Sequence, residues 1–171
     1  MEQITKKEAR KKAYSLIKEN DSTISSMVII KNIIESKILD NYNNIGIYYP
    51  IGNEINIISL VKYYKNKNFY LPITKDVLYF SKYNYLDELV DGPFKTKESK
   101  GRIISRDEIE CFLIPCVGIS NNKRIGYGKG YYDKYLKDYN GLKIGICYKN
   151  TSNLNCMMDK FDVDLDMIFV G

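Results

Sequence analysis

Four short, mainly apolar runs limit the fold more than any other feature of this chain: residues 44–50 (NIGIYYP), 68–73 (NFYLPI), 111–115 (CFLIP) and 142–148 (LKIGICY). Each is short enough to be a strand, and each is bounded by turn-forming or polar residues. Residues 77–83 (VLYFSKY) alternate as a strand does, and 166–171 (DMIFVG) supply a last one. The strand at 68–73 is expected to stop at Pro72. Helical segments lie between the runs, at 55–66 (INIISLVKYYKN) and from about Lys129 to Tyr139. Strand, helix and strand in turn make a βαβ unit, and such alternation builds a mostly parallel sheet. The expected fold is α/β, a single Rossmann-like domain over 1–171 with helices flanking the sheet. A chain of 171 residues leaves little room for a second domain.

Two helices precede the first strand. Thr5 and Glu8 have capping-box spacing, and helix formers follow to about Lys18. Ala13 and Ile17 share one helical face with Arg10 and Lys6, away from Lys7, Lys11 and Lys18, so two cations point toward the protein body. A second helix is expected across 22–38, with Ile24, Val28, Ile34 and Ile38 as its apolar side. Residues 84–107 are polar, contain Gly92, Pro93 and Gly101, and read as a surface excursion with one short helix near 107–110.

Composition narrows the chemistry. The chain has no histidine, which removes the commonest general base and the Ser-His and Cys-His nucleophile pairs. Cys111, Cys116, Cys147 and Cys156 form no C-x-x-C pair, so zinc sites and disulfides are not expected, and the thiols read as small core residues. The apolar run at 27–34 is broken by Lys31 and too short to span a bilayer, and the N-terminal residues lack a signal core, so the expected location is cytoplasmic. A net charge of +5 suits an anionic partner without identifying one.

The chemistry concentrates in residues 123–136, KRIGYGKGYYDKYL, where Gly126, Gly128 and Gly130 alternate with larger residues and cations flank them. The loop follows a strand end and opens a helix, the position at which α/β sheets bind ligands. Glycine lets backbone NH groups approach an anion closely, so a phosphate chain fits, with Arg124 and Lys129 adding positive charge. The spacing is neither the P-loop nor the dinucleotide fingerprint. Three spaced glycines alone are equally consistent with a flexible turn.

The longer pattern resembles the signature of the 5-formyltetrahydrofolate cyclo-ligases, also called 5,10-methenyltetrahydrofolate synthetases. Further matching segments follow in the same order: KKEAR (6–10), YYPIGNEI (48–55), FYLP (69–72) and DKFDVDLD (159–166). The resemblance implies that ATP phosphorylates the formyl oxygen of 5-formyltetrahydrofolate, N10 attacks the activated carbon, and phosphate leaves. Such chemistry runs on positioning and charge stabilisation and needs no histidine.

The same resemblance assigns roles. ATP contacts are Lys6, Lys7, Arg10, Arg124, Gly126, Gly128, Lys129, Gly130, Tyr131 and Tyr132, with Arg124 and Lys129 catalytic. Folate contacts are Tyr49, Glu54, Tyr127, Gly128, Lys129, Gly130 and Tyr131. Asp133 and Asp162 hold Mg²⁺. Bland readings stand beside several of these: Asp133 pairs with Lys137 on a helix, Asp162 alternates with Asp164 and Asp166 on a solvent-edged strand, Glu54 sits at a helix start, and Tyr49 and Tyr139 read as core. Many relatives carry a glutamine within the segment matching 148–155, where this chain has Asn150. The substrate is expected to be 5-formyltetrahydrofolate, polyglutamylated or not, with no nucleic acid or membrane partner and a monomeric chain. A nucleotide- or RNA-binding module and a sugar-phosphate isomerase-like enzyme are the alternatives.

Overall fold

The computed structural model describes residues 2–171. Its first helix, α1 (Lys6–Ile17), starts where the spacing predicts, because Thr5 and Glu8 cap each other's orphan amides: the Glu8 NH donates to Thr5 Oγ1 at 3.2 Å and the Thr5 NH to Glu8 Oε2 at 2.8 Å. Ala9 and Ala13 are fully buried and pack with Val117, Ile125, Leu154 and Cys156. The second helix, α2 (Ser22–Ser36), is capped by Asp21 and ends in a left-handed Lys37.

The first strand, β1 (Asn44–Gly46), is followed by a one-turn helix, α3 (Leu60–Tyr63), then β2 (Asn68–Thr74) and β3 (Leu78–Tyr83). A small ribbon of β4 (Leu89–Asp91) and β5 (Lys97–Ser99) precedes β6 (Ile103–Ile104) and β7 (Cys111–Pro115). A second ribbon, β8 (Gly118–Ser120) with β9 (Lys123–Ile125), leads into α4 (Tyr131–Tyr135), and β10 (Leu142–Cys147) and β11 (Met167–Val170) close the chain. The main sheet has the order β11-β10-β7-β1-β2-β3-β6. The five strands from β11 to β2 are parallel, while β3 and β6 are antiparallel additions at one edge.

Side-chain alternation along β7 builds a core on each face. Leu113 joins Ile29, Ile33, Ile45, Ile47, Phe69 and Ile146 on one side. Phe112 and Ile114 join Phe80, Leu136, Tyr139 and Leu165 on the other. Gly46 in β1 makes room for this second core, since a Cβ there would lie 2.3 Å from the Phe112 ring. The described chain has no helix long and apolar enough to cross a membrane.

Several local expectations are corrected. Within α2 the buried positions are Ser25, Ser26, Ile29 and Ile33, whereas Ile24, Met27 and Val28 are exposed. The helix expected over 55–66 shrinks to α3. Asn56 spends its side chain on the Ile58 NH and its own NH on Ser26 Oγ, an Asx-type turn that competes with helix. Pro72 does not stop β2, because alternate residues face the same neighbour, and the β1 register already ends opposite Tyr70. The excursion at 84–107 contains the β4–β5 ribbon and the edge strand β6. The helix expected to reach Tyr139 ends at Tyr135, and Asp138 takes a positive φ of 59°. The β8–β9 hairpin was also unforeseen; Asn121 and Asn122, at φ 50° and 60°, form the left-handed turn that Asn tolerates.

Candidate functional site

The chain leaves β1 for β2 on one side of the sheet, while β7 leads to β10 and β11 on the other. The carboxyl ends of β1 and β7 therefore diverge, which is where an open α/β sheet takes its ligand. The residues that follow them, Tyr48 and Tyr49 after β1 and Cys116 after β7, border two cavities of about 270 and 420 Å³. A third, smaller hollow of about 150 Å³ lies under the glycine loop.

That hollow is the cationic one. It is lined by Lys6 and Arg10 from α1, Arg124 from β9, the loop glycines, and the carboxylates of Asp133 and Asp162. Arg10 Nε donates to the Gly126 carbonyl at 2.7 Å, which ties α1 to the loop. Arg124 is 7% exposed; its Nε donates to the Pro115 carbonyl at 2.7 Å, and its guanidinium carbon lies 4.6 Å from the Tyr132 ring centroid. Gly126 is required because a Cβ would meet that guanidinium at 2.3 Å, and Gly128 because its φ is 100°.

The acidic pair sits beside these cations. Asp133 Oδ1 accepts the Val163 NH at 3.0 Å. Burial raises the Asp133 carboxyl above its ordinary range, and the neighbouring Asp162 adds to the rise, against the Val163 NH and the charges of Arg124 and Lys6. Asp162 accepts Lys6 Nζ at 2.6 Å and the Asp159 NH at 2.7 Å. Burial works against the Lys6 ammonium, but hydrogen bonds to Asp159 and Asp162 lift its pKa above the ordinary lysine value. Asp164 and Asp166 do behave as edge residues, paired with Lys123 and Lys143. Asp133 makes no ion pair with Lys137 among the described residues. No three His, Cys, Asp or Glu side chains converge among the described residues into a cage for a metal ion.

The 270 Å³ cavity is more apolar. Tyr49, Glu54, Tyr127, Lys129, Gly130 and Tyr131 line it, as do Arg124 and Tyr132. Glu54 Oε1 accepts the Ile51 NH at 2.7 Å, and Tyr127 lines the cavity alongside it. Burial raises Glu54 above the usual carboxylate range, against the Ile51 NH, the nearby Tyr127 and the charge of Arg124. Arg124, Tyr127 and Gly130 border both this cavity and the cationic hollow, so the two meet across one wall.

The structure thus gathers Lys6, Arg10, Arg124, Gly126, Gly128, Gly130, Asp133 and Asp162 in one place and the Tyr49 and Glu54 group in the adjoining one. Lys7 is exposed and borders neither. Lys129 faces the apolar cavity, its ammonium 5.5 Å from the Phe94 ring centroid. Tyr139 is core, with its hydroxyl donating to the Ile109 carbonyl. Asn150 is bound to the end of α1: its Nδ2 donates to the Leu16 carbonyl and its Oδ1 accepts from Asn20. Sequence reasoning missed Phe94, Thr96 and Lys97, which reach the cavity from the turn before β5 and from β5 itself. Phe94 and Lys95 both have left-handed backbone, at φ 59° and 61°. Nothing in GPFK predicts that geometry.

A mostly parallel α/β sheet with a cationic glycine loop and a more apolar cavity joined at its switch point defines a class: an α/β protein with two adjoining ligand cavities. The chain belongs to the 5-formyltetrahydrofolate cyclo-ligase family, whose model matches residues 4–171. A 5-formyltetrahydrofolate cyclo-ligase of Mycoplasma pneumoniae is 31% identical over 127 residues, covering 72% of this chain and 70% of that protein. The solved 5,10-methenyltetrahydrofolate synthetase of M. pneumoniae superimposes with a TM-score of 0.80 at 25% identity, covering 97% of this chain and 98% of its own. The Aquifex aeolicus 5,10-methenyltetrahydrofolate synthetase shares the fold with a TM-score of 0.85 at 24% identity, over 98% of this chain and 90% of that one.

Proposed function

We infer that this protein closes 5-formyltetrahydrofolate to 5,10-methenyltetrahydrofolate, with ATP and Mg²⁺, by phosphoryl transfer to the formyl oxygen and attack by N10. The observation that carries the reading is the shared wall: Arg124, Tyr127 and Gly130 face both the cationic hollow and the apolar cavity. A phosphoryl group passed between two ligands needs such a junction, because reacting atoms must lie about 3 to 3.5 Å apart.

The hollow takes the triphosphate. The glycines at 126, 128 and 130 would let backbone amides come close to it, Arg10 and Lys6 would neutralise it from α1, and Arg124 presents a fixed guanidinium at the junction. Arg124 is held by Pro115 and Tyr132, so little reorganisation is needed when charge develops on the transferring group. The apolar cavity takes the pterin, with the Glu54 carboxylate accepting from its aminopyrimidine edge and Tyr49 and Tyr131 flanking it. Lys129, at the same cavity, supplies positive charge on the side of the acceptor.

Asp133 and Asp162 suit Mg²⁺ as hard oxygen donors beside a phosphate site. Such an ion is held by one or two carboxylates plus phosphate oxygens, so a cage of three protein ligands is not needed. Burial has left Asp133 poorly compensated, which a cation would correct. When bound, Mg²⁺ supplies neutralisation of the triphosphate charge.

The test is spectroscopic. Protein mixed with 5-formyltetrahydrofolate, ATP and Mg²⁺ should develop the near-ultraviolet absorbance of the methenyl product. A folded protein that gives no ATP-dependent rise overturns the assignment.

A further inference from the structure

Lys6 does not stand free at the edge of the cationic hollow. Its ammonium is held between two carboxylates of one turn, by Asp162 Oδ1 at 2.6 Å and by Asp159 Oδ2 at 2.8 Å. The turn fixes both acceptors. Asp159 Oδ1 accepts the Phe161 NH at 2.8 Å, and the Asp159 NH donates to Asp162 Oδ2 at 2.7 Å. Asp162 is buried and lines the hollow, whereas the Asp159 side chain is 53% exposed and lines neither the hollow nor the two larger cavities. An exposed ion pair contributes little to stability, so stability does not account for the second carboxylate.

Asp162 carries two demands. In the ligand-free protein its Oδ1 holds Lys6, and in the functional reading above the same carboxylate holds Mg²⁺. A magnesium ion sits about 2.1 Å from a ligating oxygen. An ammonium 2.6 Å from that oxygen would face the ion at short range, where like charges repel. Asp162 Oδ2 is already engaged by the Asp159 NH. Lys6 must therefore give up Asp162 when the ion arrives. Asp159 Oδ2 then leaves the ammonium one anionic partner at the edge of the hollow. Without Asp159, the lysine's flexible stem has nothing to hold its charge there.

We propose that Asp159 is a positioning residue for the magnesium nucleotide: it retains Lys6 beside the phosphates when Mg²⁺ takes Asp162. The proposal rests on the functional reading given above. Asp159 acts through Lys6 and touches neither ligand.

Calorimetric titration with a nonhydrolysable ATP analogue, once in Mg²⁺ and once in EDTA, tests this in the wild type, Asp159→Asn, Lys6→Met and the double variant. The Asn side chain retains an oxygen for the Phe161 NH, so the turn is kept and only the charge is lost. In EDTA, Asp162 still holds Lys6, and Asp159→Asn should bind the analogue no more weakly than the wild type. In Mg²⁺ it should bind at least about tenfold more weakly, the scale of one charged hydrogen bond. Placed on Lys6→Met, the same substitution should cost nothing further in Mg²⁺. A merely structural role predicts equal losses with Mg²⁺ and with EDTA, and that result overturns the proposal. So does a Mg²⁺-specific loss that persists in the Lys6→Met background, which would show Asp159 acting on the ion directly. A wild type that binds the analogue equally in Mg²⁺ and EDTA removes the competition and the proposal with it, while the nucleotide site stands. If the folded wild type binds no analogue under either condition, the functional reading falls as well.

Discussion

Glu54, read above as the acceptor for folate, shows what burying a carboxyl costs the fold. Its pKa in the folded protein is raised by burial above the 4.5 of a free side chain, so the native state holds the proton more tightly than the unfolded chain does. The sign follows: stability declines as pH climbs from about 4.5 through the raised native value, and the ionised group weighs against the fold throughout the neutral range. Glu54→Gln should therefore melt about 2–4 °C higher than wild type at pH 8, the shift expected for roughly 1 kcal/mol in a chain of this size. The advantage should vanish near pH 4, while folate binding falls at least about tenfold, the loss of one charged hydrogen bond. Melting curves across pH with paired titrations check both halves, and a variant less stable than wild type at pH 8 counts against the assignment. Arg124 poses the opposite case. Its planar guanidinium both stacks on Tyr132 and bonds to Pro115 while facing the junction, which an ammonium does not reproduce. Arg124→Lys should lower kcat about 100- to 1,000-fold, the cost of losing one preorganised donor, with KM for ATP changed far less. Equal losses in kcat and in nucleotide affinity would show that Arg124 only binds.

Among the elements, α1 links stability to the site most directly, because its first turn carries Lys6 and its second Arg10. Thr5→Ala removes the cap that satisfies the Glu8 NH and should cost about 1 kcal/mol, measured by denaturant unfolding. The same change should raise KM for ATP more than it lowers kcat, since fraying displaces Lys6 before it reaches the loop. That helix was legible in the sequence because its signals are local: a capping pair, then Ala9 and Ala13 on one face. The α2 face was not legible. Ser25 and Ser26 are buried and Met27 is exposed, an arrangement set by contact with β11 and Gly171 rather than by hydropathy. The strands near β1, β7 and β10 announced themselves by apolar runs. The β4–β5 ribbon did not, since it pairs Val90 with Glu98 and Asp91 with Lys97, and β6 is only the two residues Ile103 and Ile104. The glycine loop and its acidic partner Asp133 were readable as one motif, whereas Phe94 and Lys97 enter the cavity from a segment that looked like plain surface.

At the scale of the whole molecule, the two cavities lie where the sheet changes direction, and they draw on parts of the chain distant in sequence. The hollow joins α1, the loop after β9, and Asp162 near the C-terminal end, while the apolar cavity joins the segment after β1 with the turn before β5. Unfolding separates all of these, so a ligand binds the native state alone and stabilises it by RT ln(1 + [L]/Kd). At about 100 times Kd the gain is about 2.7 kcal/mol. For a chain of this size that raises Tm by about 5–10 °C. A nonhydrolysable ATP analogue with Mg²⁺ should produce a shift of that order, and chelating the metal with EDTA should shrink it. Asp133→Ala isolates the carboxylate's part: its Tm increment with analogue should be the same with Mg²⁺ as with EDTA, and close to that of EDTA-treated wild type. Because Asp133 also accepts the Val163 NH, the variant's ligand-free Tm will fall, so only the increments are compared. If Asp133→Ala keeps the full Mg²⁺-dependent increment, the ion is held elsewhere, and the acidic pair beside Lys6 serves only to tie the C-terminal segment to α1 and α4.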